Sequence, residues 1–252
     1  MDNNIIVREA ILDDLQFAET ITEEMAESAK ARGTGIARRS AEYIRKKIEE
    51  GKAVIATTAD GAWVGFCYIE AWEDSQYVAN SGLIVSPAFR KGGVAREIKR
   101  KVFELSRKRY PDAKIFGLTT GLAVMKINSE LGYEPVTYSE LTNDEKFWKG
   151  CQSCVNYEIL MSKNRTNCMC TGMLFDPVEA AKKLAEKSKT IVTEAGMVEH
   201  HKKREFAGNF KLFLRWVQFK QFVLLKAFGK KQEGEHPEGE KKNSLFNLFF
   251  FW

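Results

Sequence analysis

The sequence predicts an α/β domain in which short strands alternate with amphipathic helices, followed by a helical extension of different composition. Three observations carry this. From Tyr77 to Tyr110 an apolar strand, a basic glycine turn and a long helix follow one another without a spacer. On either side, apolar runs bounded by turn residues interleave with runs at helical spacing. From Asp176 onward the composition shifts to lysine, glutamate and aromatics.

The chain opens with Ile5, Ile6 and Val7 as a short strand, and a helix is expected to start at the cap Asp13, with Leu15, Ala18, Ile21, Met25 and Ala29 as its buried face. Arg32-Gly33-Thr34-Gly35 ends it. Ser40 caps a second helix whose Ala41, Ile44 and Ile48 face inward, and Gly51 closes it. Ala53 to Thr58 and Trp63 to Trp72 form a hairpin around the Asp60-Gly61 step. Val78, Leu83, Ile84 and Val85 then build the central strand, which Ser86-Pro87 ends because proline cannot donate to a ladder. Arg90-Lys91-Gly92-Gly93-Val94-Ala95 makes the turn, and Val94, Ile98, Val102 and Leu105 repeat at helical spacing. Lys114 to Thr120 reads as the fifth strand, Val124, Ile127 and Leu131 as the face of a helix stopped by Gly132, and Tyr133 to Thr137 and Cys154 to Met161 as two last strands.

Length and charge restrict the function. A chain of 252 residues holds one packed domain of ~150 residues with an appendage. A net charge of +5 favours a polyanionic ligand, but the basic residues are interleaved with acids and lack a stripe of stacking aromatics, which argues against nucleic acid. The start, MDNNIIVREA, has no basic run followed by an apolar core, so a cytoplasmic protein is expected. Its five cysteines then suggest thiols or a metal site over a disulfide framework.

The glycine turn presents free amides at a helix start, where the dipole and the flanking Arg90, Lys91 and Arg96 favour a phosphate. It lacks the third glycine of a dinucleotide fingerprint and the Gly-Lys-Ser/Thr of a P-loop. A plain strand-to-helix turn fits the glycine pair taken alone. The pattern Arg-x-x-Gly-x-Ala after a strand ending in Val-Ser-Pro resembles the acyl-CoA pyrophosphate loop of the GNAT superfamily of N-acyltransferases. The resemblance spans residues 1–162. It implies a mixed, mostly antiparallel central sheet, splayed open and flanked by helices, and an acyl-CoA, acetyl-CoA first, as cofactor. Cofactor contacts then fall to Leu83, Ile84 and Val85 on the strand and to Arg90, Lys91, Gly92, Gly93, Val94 and Ala95 in the loop.

Within that superfamily the chain is most similar to the acetyltransferase domain of N-acetylglutamate synthases. Arg38-Arg39-Ser40 opens the second helix, Leu118-Thr119-Thr120 ends the fifth strand, and an aromatic followed by Ser153 leads into the last strand. Such positions bind glutamate carboxylates in those synthases, which makes Arg38, Arg39, Thr119, Thr120 and Ser153 the expected acceptor contacts. Arginine supplies a planar fork for a carboxylate; solvated arginines beside a capping Ser40 are the competing account. Cys151 stands where the synthases carry an arginine, and the amino-acid-kinase domain usual in the larger synthases is not expected within these 252 residues. The expected reaction is transfer of an acetyl or succinyl group to the α-amine of an amino acid, glutamate first, in amino-acid biosynthesis such as that of arginine.

The three histidines, His200, His201 and His236, all lie beyond residue 162, so carboxylates are the expected base. Glu70 and Glu73 stand at the end of the third strand and can act through water, although solvated charges at a strand end read the same way. Where the superfamily places a tyrosine acid, four residues before Gly132-Tyr133, this chain has Asn128, a neutral donor for the departing sulfur. An acyl-CoA-binding regulator without catalysis, and a membrane-docked enzyme acting on proteins or small amines, are the alternative functions.

Cys151-x-x-Cys154 and Cys168-x-Cys170 are two close pairs separated by thirteen residues. Four soft ligands in two knuckles suit structural zinc; buried thiols, an iron-sulfur cluster or a redox pair fit the same spacing. Residues 163–231 are expected to form a helical extension carrying the second pair. Its stretch FAGNFKLFLRWVQFKQFVLLKAF is too often interrupted by lysine and arginine to cross a bilayer. Packing on the core or in a homodimer, or peripheral membrane contact, would cover its apolar side. Residues 232–252 form a polar linker and an aromatic tail.

Overall fold

The computed structural model describes residues 4–33 and 38–194. The expectations placed on 195–252, including the histidines, the aromatic stretch and the tail, lie outside the described residues.

Seven strands form one sheet in the order β1-β2-β3-β4-β5-β7-β6. The strands β1 (Ile5–Glu9), β2 (Ala53–Thr58), β3 (Trp63–Trp72) and β4 (Tyr77–Val85) pair antiparallel in succession. Next, β5 (Lys114–Thr119) joins β4 in parallel, and β7 (Thr171–Phe175) sits antiparallel between β5 and β6 (Glu134–Val136). Mostly antiparallel pairing with one parallel junction is the mixed sheet expected.

Helices cover both faces. On one face α3 (Val94–Arg109) buries Ile98, Val102 and Leu105 against Val54, Val64, Cys67, Ile69 and Ile115, each side chain contributing about 1.5–3 kcal/mol by leaving water. On the other, α1 (Ala18–Arg32) and α2 (Ala41–Glu49) lay Ile21, Met25, Ile44 and Ile48 over Ile55, Phe66, Tyr68 and Ile84. Ser40 caps α2 as expected, accepting the Tyr43 amide at 3.2 Å, and Gly33 ends α1 in the left-handed region at φ 58°. The same face of β5 and β7 is covered by Tyr138, Leu141, Trp148 and Leu160 from the segment between β6 and β7. That segment contains α5 (Glu145–Lys149) and α6 (Tyr157–Ser162). The helix α4 (Leu122–Glu130) follows β5, and α7 (Pro177–Glu194) follows β7 with Asp176 at its start. The chain divides into two units, Met1–Thr190 and Ile191–Trp252; every described element except the end of α7 belongs to the first. Among the described residues no helix is long and apolar enough to cross a membrane.

Two expectations are corrected. Asp13 does not cap α1. Residues Leu12–Phe17 form a 3₁₀ stretch, and it is Asp14 that is buried there, accepting from the Ile11 amide at 2.8 Å and from Arg8 at 2.6 and 2.9 Å. The second concerns Cys154–Met161, which is not a strand. Leu160 points into the core while Ile159, its one β-branched residue past Val155, is 40% exposed, a helical and not an alternating burial. The sheet position beside β5 is filled by Thr171–Phe175, so the sheet continues past residue 162.

Candidate functional site

The strand β4 runs beside β5 only from Tyr77 to Ala79, opposite Lys114 to Phe116. From Asn80 to Val85 its sole strand partner among the described residues is β3, so its other edge carries no ladder among them. The register against β3 shifts between Phe66 and Tyr68, where Gly82 and Leu83 together face Cys67, a bulge that re-aims the backbone of the free edge. Gly82 takes φ 67°, and a Cβ there would stand 2.4 Å from Cε1 of Tyr68 and 2.9 Å from Cε of Met25, so only glycine fits.

This open edge leads through the Pro87–Phe89 turn into the basic loop. Lys91 at φ 68° and Gly93 at φ 84° bend the chain into α3. The amides of Arg96 and Glu97 both donate to the Gly93 carbonyl, at 2.9 and 3.2 Å, and helix geometry leaves those of Val94 and Ala95 with no acceptor inside the helix. Lys91, Gly92 and Gly93 are exposed. Two of the loop's cations are engaged elsewhere. Arg90 donates to the Val85 carbonyl at 2.9 Å and to Glu24 and Ser28 at 2.7 Å each, tying the strand end to α1. Arg96 pairs with Glu130 of α4.

On the α1–α2 face, beside the open edge, Phe66, Tyr68 and Glu70 point the same way along β3. The side chain of Arg39 is 19% exposed; its Nε donates to the Tyr68 hydroxyl at 3.0 Å, and its Nη2 stands 3.9 Å from Glu70. Lys47 Nζ is 3.7 Å from the same carboxylate, which also accepts from the Tyr43 hydroxyl. Arg39 and Lys47 lie over the Tyr43 ring at 5.1 and 4.8 Å. Burial raises the Glu70 pKa against the pull of Arg39 and the Ser81 hydroxyl. At Arg39 burial opposes the charge, but Tyr68 and Glu70 outweigh it and the pKa moves up. Burial lowers Lys47 and raises Tyr68. Tyr68 is absent from the residues singled out by sequence; a tyrosine two places from a carboxylate on one face of a strand was the available signal.

Arg38 is exposed and donates its amide to Ser153 Oγ at 2.9 Å, while a Cβ on Gly150 would come within 3.2 Å of the Arg39 guanidinium. The structure thus brings Arg38, Arg39, Glu70 and Ser153 together, although Ser153 precedes α6 and not a strand. Glu73 does not join them. It lies in the β3–β4 turn at φ 48° and accepts from Thr142 Oγ1 at 2.7 Å and from the Asn143 amide. Thr119 accepts the Gly121 amide at 3.0 Å, and Thr120 is exposed beyond the strand end. Asn128 is 1% exposed, and its Oδ1 has no hydrogen-bond partner among the described residues.

Where β4 and β5 part, Asn80 turns to the α3 face. Its Oδ1 accepts from Tyr133 Oη at 2.9 Å and from Lys99 Nζ at 3.4 Å, and its Nδ2 donates to Ser106 at 2.8 Å. Lys99 is 2% exposed and faces the Tyr133 ring at 5.3 Å; burial lowers its pKa, opposed by nearby Cys67.

The cysteine pairs converge. Cys151, Cys154, Cys168 and Cys170 all line one small cavity with Tyr138, Trp148 and Leu160. Burial, then the neighbouring cysteines, push the thiols of Cys151 and Cys170 up to about 11 and about 12. Among the described residues no three His, Cys, Asp or Glu side chains stand at metal-ligand spacing as they are placed.

No protein-family model and no curated protein matches the chain. Among solved structures, an acetyltransferase of the GNAT family from Staphylococcus aureus is 13% identical, with a TM-score of 0.50 over 69% of this chain and 99% of its own. N-acetylglutamate synthase from Neisseria gonorrhoeae, solved with coenzyme A and N-acetyl-glutamate, is 18% identical at a TM-score of 0.49 over 70% of this chain, which spans 36% of that synthase. A phosphinothricin acetyltransferase from Sinorhizobium meliloti, in complex with acetyl-CoA, is 16% identical at 0.46, covering 68% of this chain and 88% of its own. An identity this low speaks to the fold alone, and the fold shared with the Staphylococcus aureus structure is the GNAT fold.

Proposed function

We propose that the protein transfers a short acyl group from acyl-CoA, acetyl-CoA or succinyl-CoA, to the α-amine of an acidic amino acid, with glutamate the leading acceptor. The observation that carries this is the continuity of the free β4 edge, from Asn80 past the Gly82 bulge, with the amide-rich start of α3, next to a buried cluster of opposite charges. An extended pantetheine finds backbone along Leu83–Val85 that has no second strand beside it, the Val85 carbonyl being held by Arg90, and a diphosphate finds the amides of Gly92, Gly93, Val94 and Ala95 with Lys91 beside them. Arg90 supports this loop from behind.

In the reaction the acceptor amine attacks the thioester carbonyl, a C–N bond forms, the C–S bond breaks, and the amine proton leaves. Glu70, with its raised pKa, is the base for that proton, directly or through water. The amides at the bulge are the donors for the carbonyl oxygen as it gains charge, and the Asn128 side chain, once turned out from its buried position, is the neutral donor for the departing sulfur. Arg38, Arg39 and Ser153, with Thr119 and Thr120 across the opening, bind the acceptor carboxylates. Glu73, tied to Thr142 and Asn143, is assigned no step.

Free-thiol release measured with acetyl-CoA and succinyl-CoA against a panel of amino acids tests the proposal. Release that depends on an acidic amino acid is expected with one donor. CoA binding without acceptor-dependent release from any amine would favour a regulator instead.

A further inference from the structure

Four thiols from two segments meet at one place. Cys151 lies in the Gly150–Ser153 turn after α5 and Cys154 directly follows it, while Cys168 and Cys170 immediately precede β7. All four are free and line the same cavity of ≈ 20 Å³, whose other walls are mainly aromatic and leucine side chains. The backbone of Asn156 bridges the pairs. Its amide donates to Cys154 Sγ at 3.4 Å, and its carbonyl accepts from Cys168 Sγ at 3.8 Å. An amide aimed at sulfur stabilises a thiolate, and four thiolates around a water-sized space are the ligand set of a closed tetrahedral zinc site. Zinc–sulfur bonds of ~2.3 Å require the four side chains to turn inward from their present positions.

The same turn reaches the acceptor side. Ser153, between the first two cysteines, holds the Arg38 amide at 2.9 Å, and Gly150 packs against the Arg39 guanidinium, with room for a Cβ only at 3.2 Å. Fixing Cys151 and Cys154 to the start of β7 would therefore fix the wall behind both arginines. We propose that the four cysteines bind one zinc ion, and that this ion staples the Gly150–Ser153 turn to the sheet and so positions Arg38 and Arg39; the second half rests on the acceptor reading given above. Arg38 and Arg39 touch substrate in that reading, whereas the metal acts through them.

The full chain, purified without a metal-binding tag, is assayed for metal and for reactive thiols before and after a strong chelator. About one zinc per chain is expected, with the four thiols reacting only after chelation and the fluorescence of Trp148, a cavity wall, changing at the same time. Cys154→Ser and Cys168→Ser should each lose the metal. No metal with freely titrating thiols, iron with acid-labile sulfide, or two disulfides in freshly isolated protein would overturn the site. If zinc is present, its removal should raise the acceptor KM about tenfold, the loss of one charge-assisted contact, and leave CoA affinity unchanged. An unchanged KM after metal loss, in a protein whose Arg39→Ala variant does show a raised KM, refutes the staple alone. An unchanged KM in both refutes the acceptor reading and leaves the zinc site standing.

Discussion

Replacing Glu70 by glutamine separates a catalytic carboxylate from a structural one, because the structure predicts a small effect on stability and a large one on rate. The carboxylate is 7% exposed and faces Lys47 at 3.7 Å and Arg39 at 3.9 Å. Each attraction amounts to about 4 kcal/mol at an effective dielectric of about 20, while removing an ionised carboxyl from water costs several kcal/mol. The raised pKa of Glu70 says that burial outweighs these attractions. Glutamine keeps a partner for the Tyr43 hydroxyl and removes the charge, so unfolding free energy at neutral pH should change by no more than about 1 kcal/mol. A raised folded-state pKa means that the native protein binds a proton the unfolded chain has already released. The contribution of Glu70 is thus fully present below about pH 4.3 and is lost as pH rises through the folded value. Urea unfolding from acid to neutral pH should show wild type losing stability relative to Glu70→Gln across that window and running parallel above it. As a general base Glu70 must be ionised, so kcat/KM should rise through the same window, and the variant should lose about 10²- to 10⁴-fold in kcat without that rise. A variant with nearly full kcat and an unaltered pH profile would make Glu70 a structural partner of Arg39. A stability loss beyond about 3 kcal/mol would show that pairing, not burial, dominates.

Arg38→Ala removes an exposed side chain but keeps the amide on Ser153, so stability should stay within about 0.5 kcal/mol while the acceptor KM rises; calorimetry should find CoA affinity unchanged. Arg39→Ala also breaks the bond to Tyr68 and should cost about 1.5–3 kcal/mol in chemical unfolding. At Gly92 a Cβ meets only the Phe89 carbonyl, at 3.8 Å. Gly92→Asp should therefore fold normally and weaken CoA about tenfold or more by placing an anion against the helix start; equal CoA affinity would remove the loop from the cofactor site. Gly93→Ala, at φ 84°, should instead cost ~1 kcal/mol of backbone strain. Lys99→Met should stabilise the protein by about 1–3 kcal/mol, because no carboxylate among the described residues pairs with this buried amine. Its lowered pKa makes wild-type stability climb as pH rises from the folded value toward that of a free lysine, and the advantage of Lys99→Met should shrink over that range.

Features encoded within a few residues were legible. The Ser40 cap, the Asp60-Gly61 hairpin, the strand ending at Val85 and the helix starting at Val94 each depend on a local pattern, and the structure has all four. Competition between distant segments was not. Asn156–Met161 and Thr171–Phe175 are both short apolar runs, and only the contacts of β5 and β6 decide that the second becomes the strand. The pairing of Arg39 with Tyr68 spans 29 positions and depends on α2 lying across β3, which no periodicity within either element reports.

The loop arginines show the same limit with a consequence for binding. Arg90 and Arg96 read as phosphate ligands because they flank the glycines, yet carboxylates brought in by α1 and α4, Glu24 and Glu130, claim both. Their charges are largely cancelled where they stand. What remains to meet a diphosphate is backbone: the amides of Gly92 to Ala95, oriented by a left-handed Gly93 and by the α3 dipole, with the exposed Lys91 beside them in the turn. Recognition by oriented amides is short-ranged and little screened by salt, whereas recognition by exposed arginines is long-ranged and strongly screened. Raising salt from about 0.05 to 0.5 M, which shortens the Debye length from above 10 Å to below 5 Å, should thus weaken CoA binding by only a few-fold. A steep salt dependence would mean that Arg90 and Arg96 leave their carboxylates to hold the diphosphate themselves.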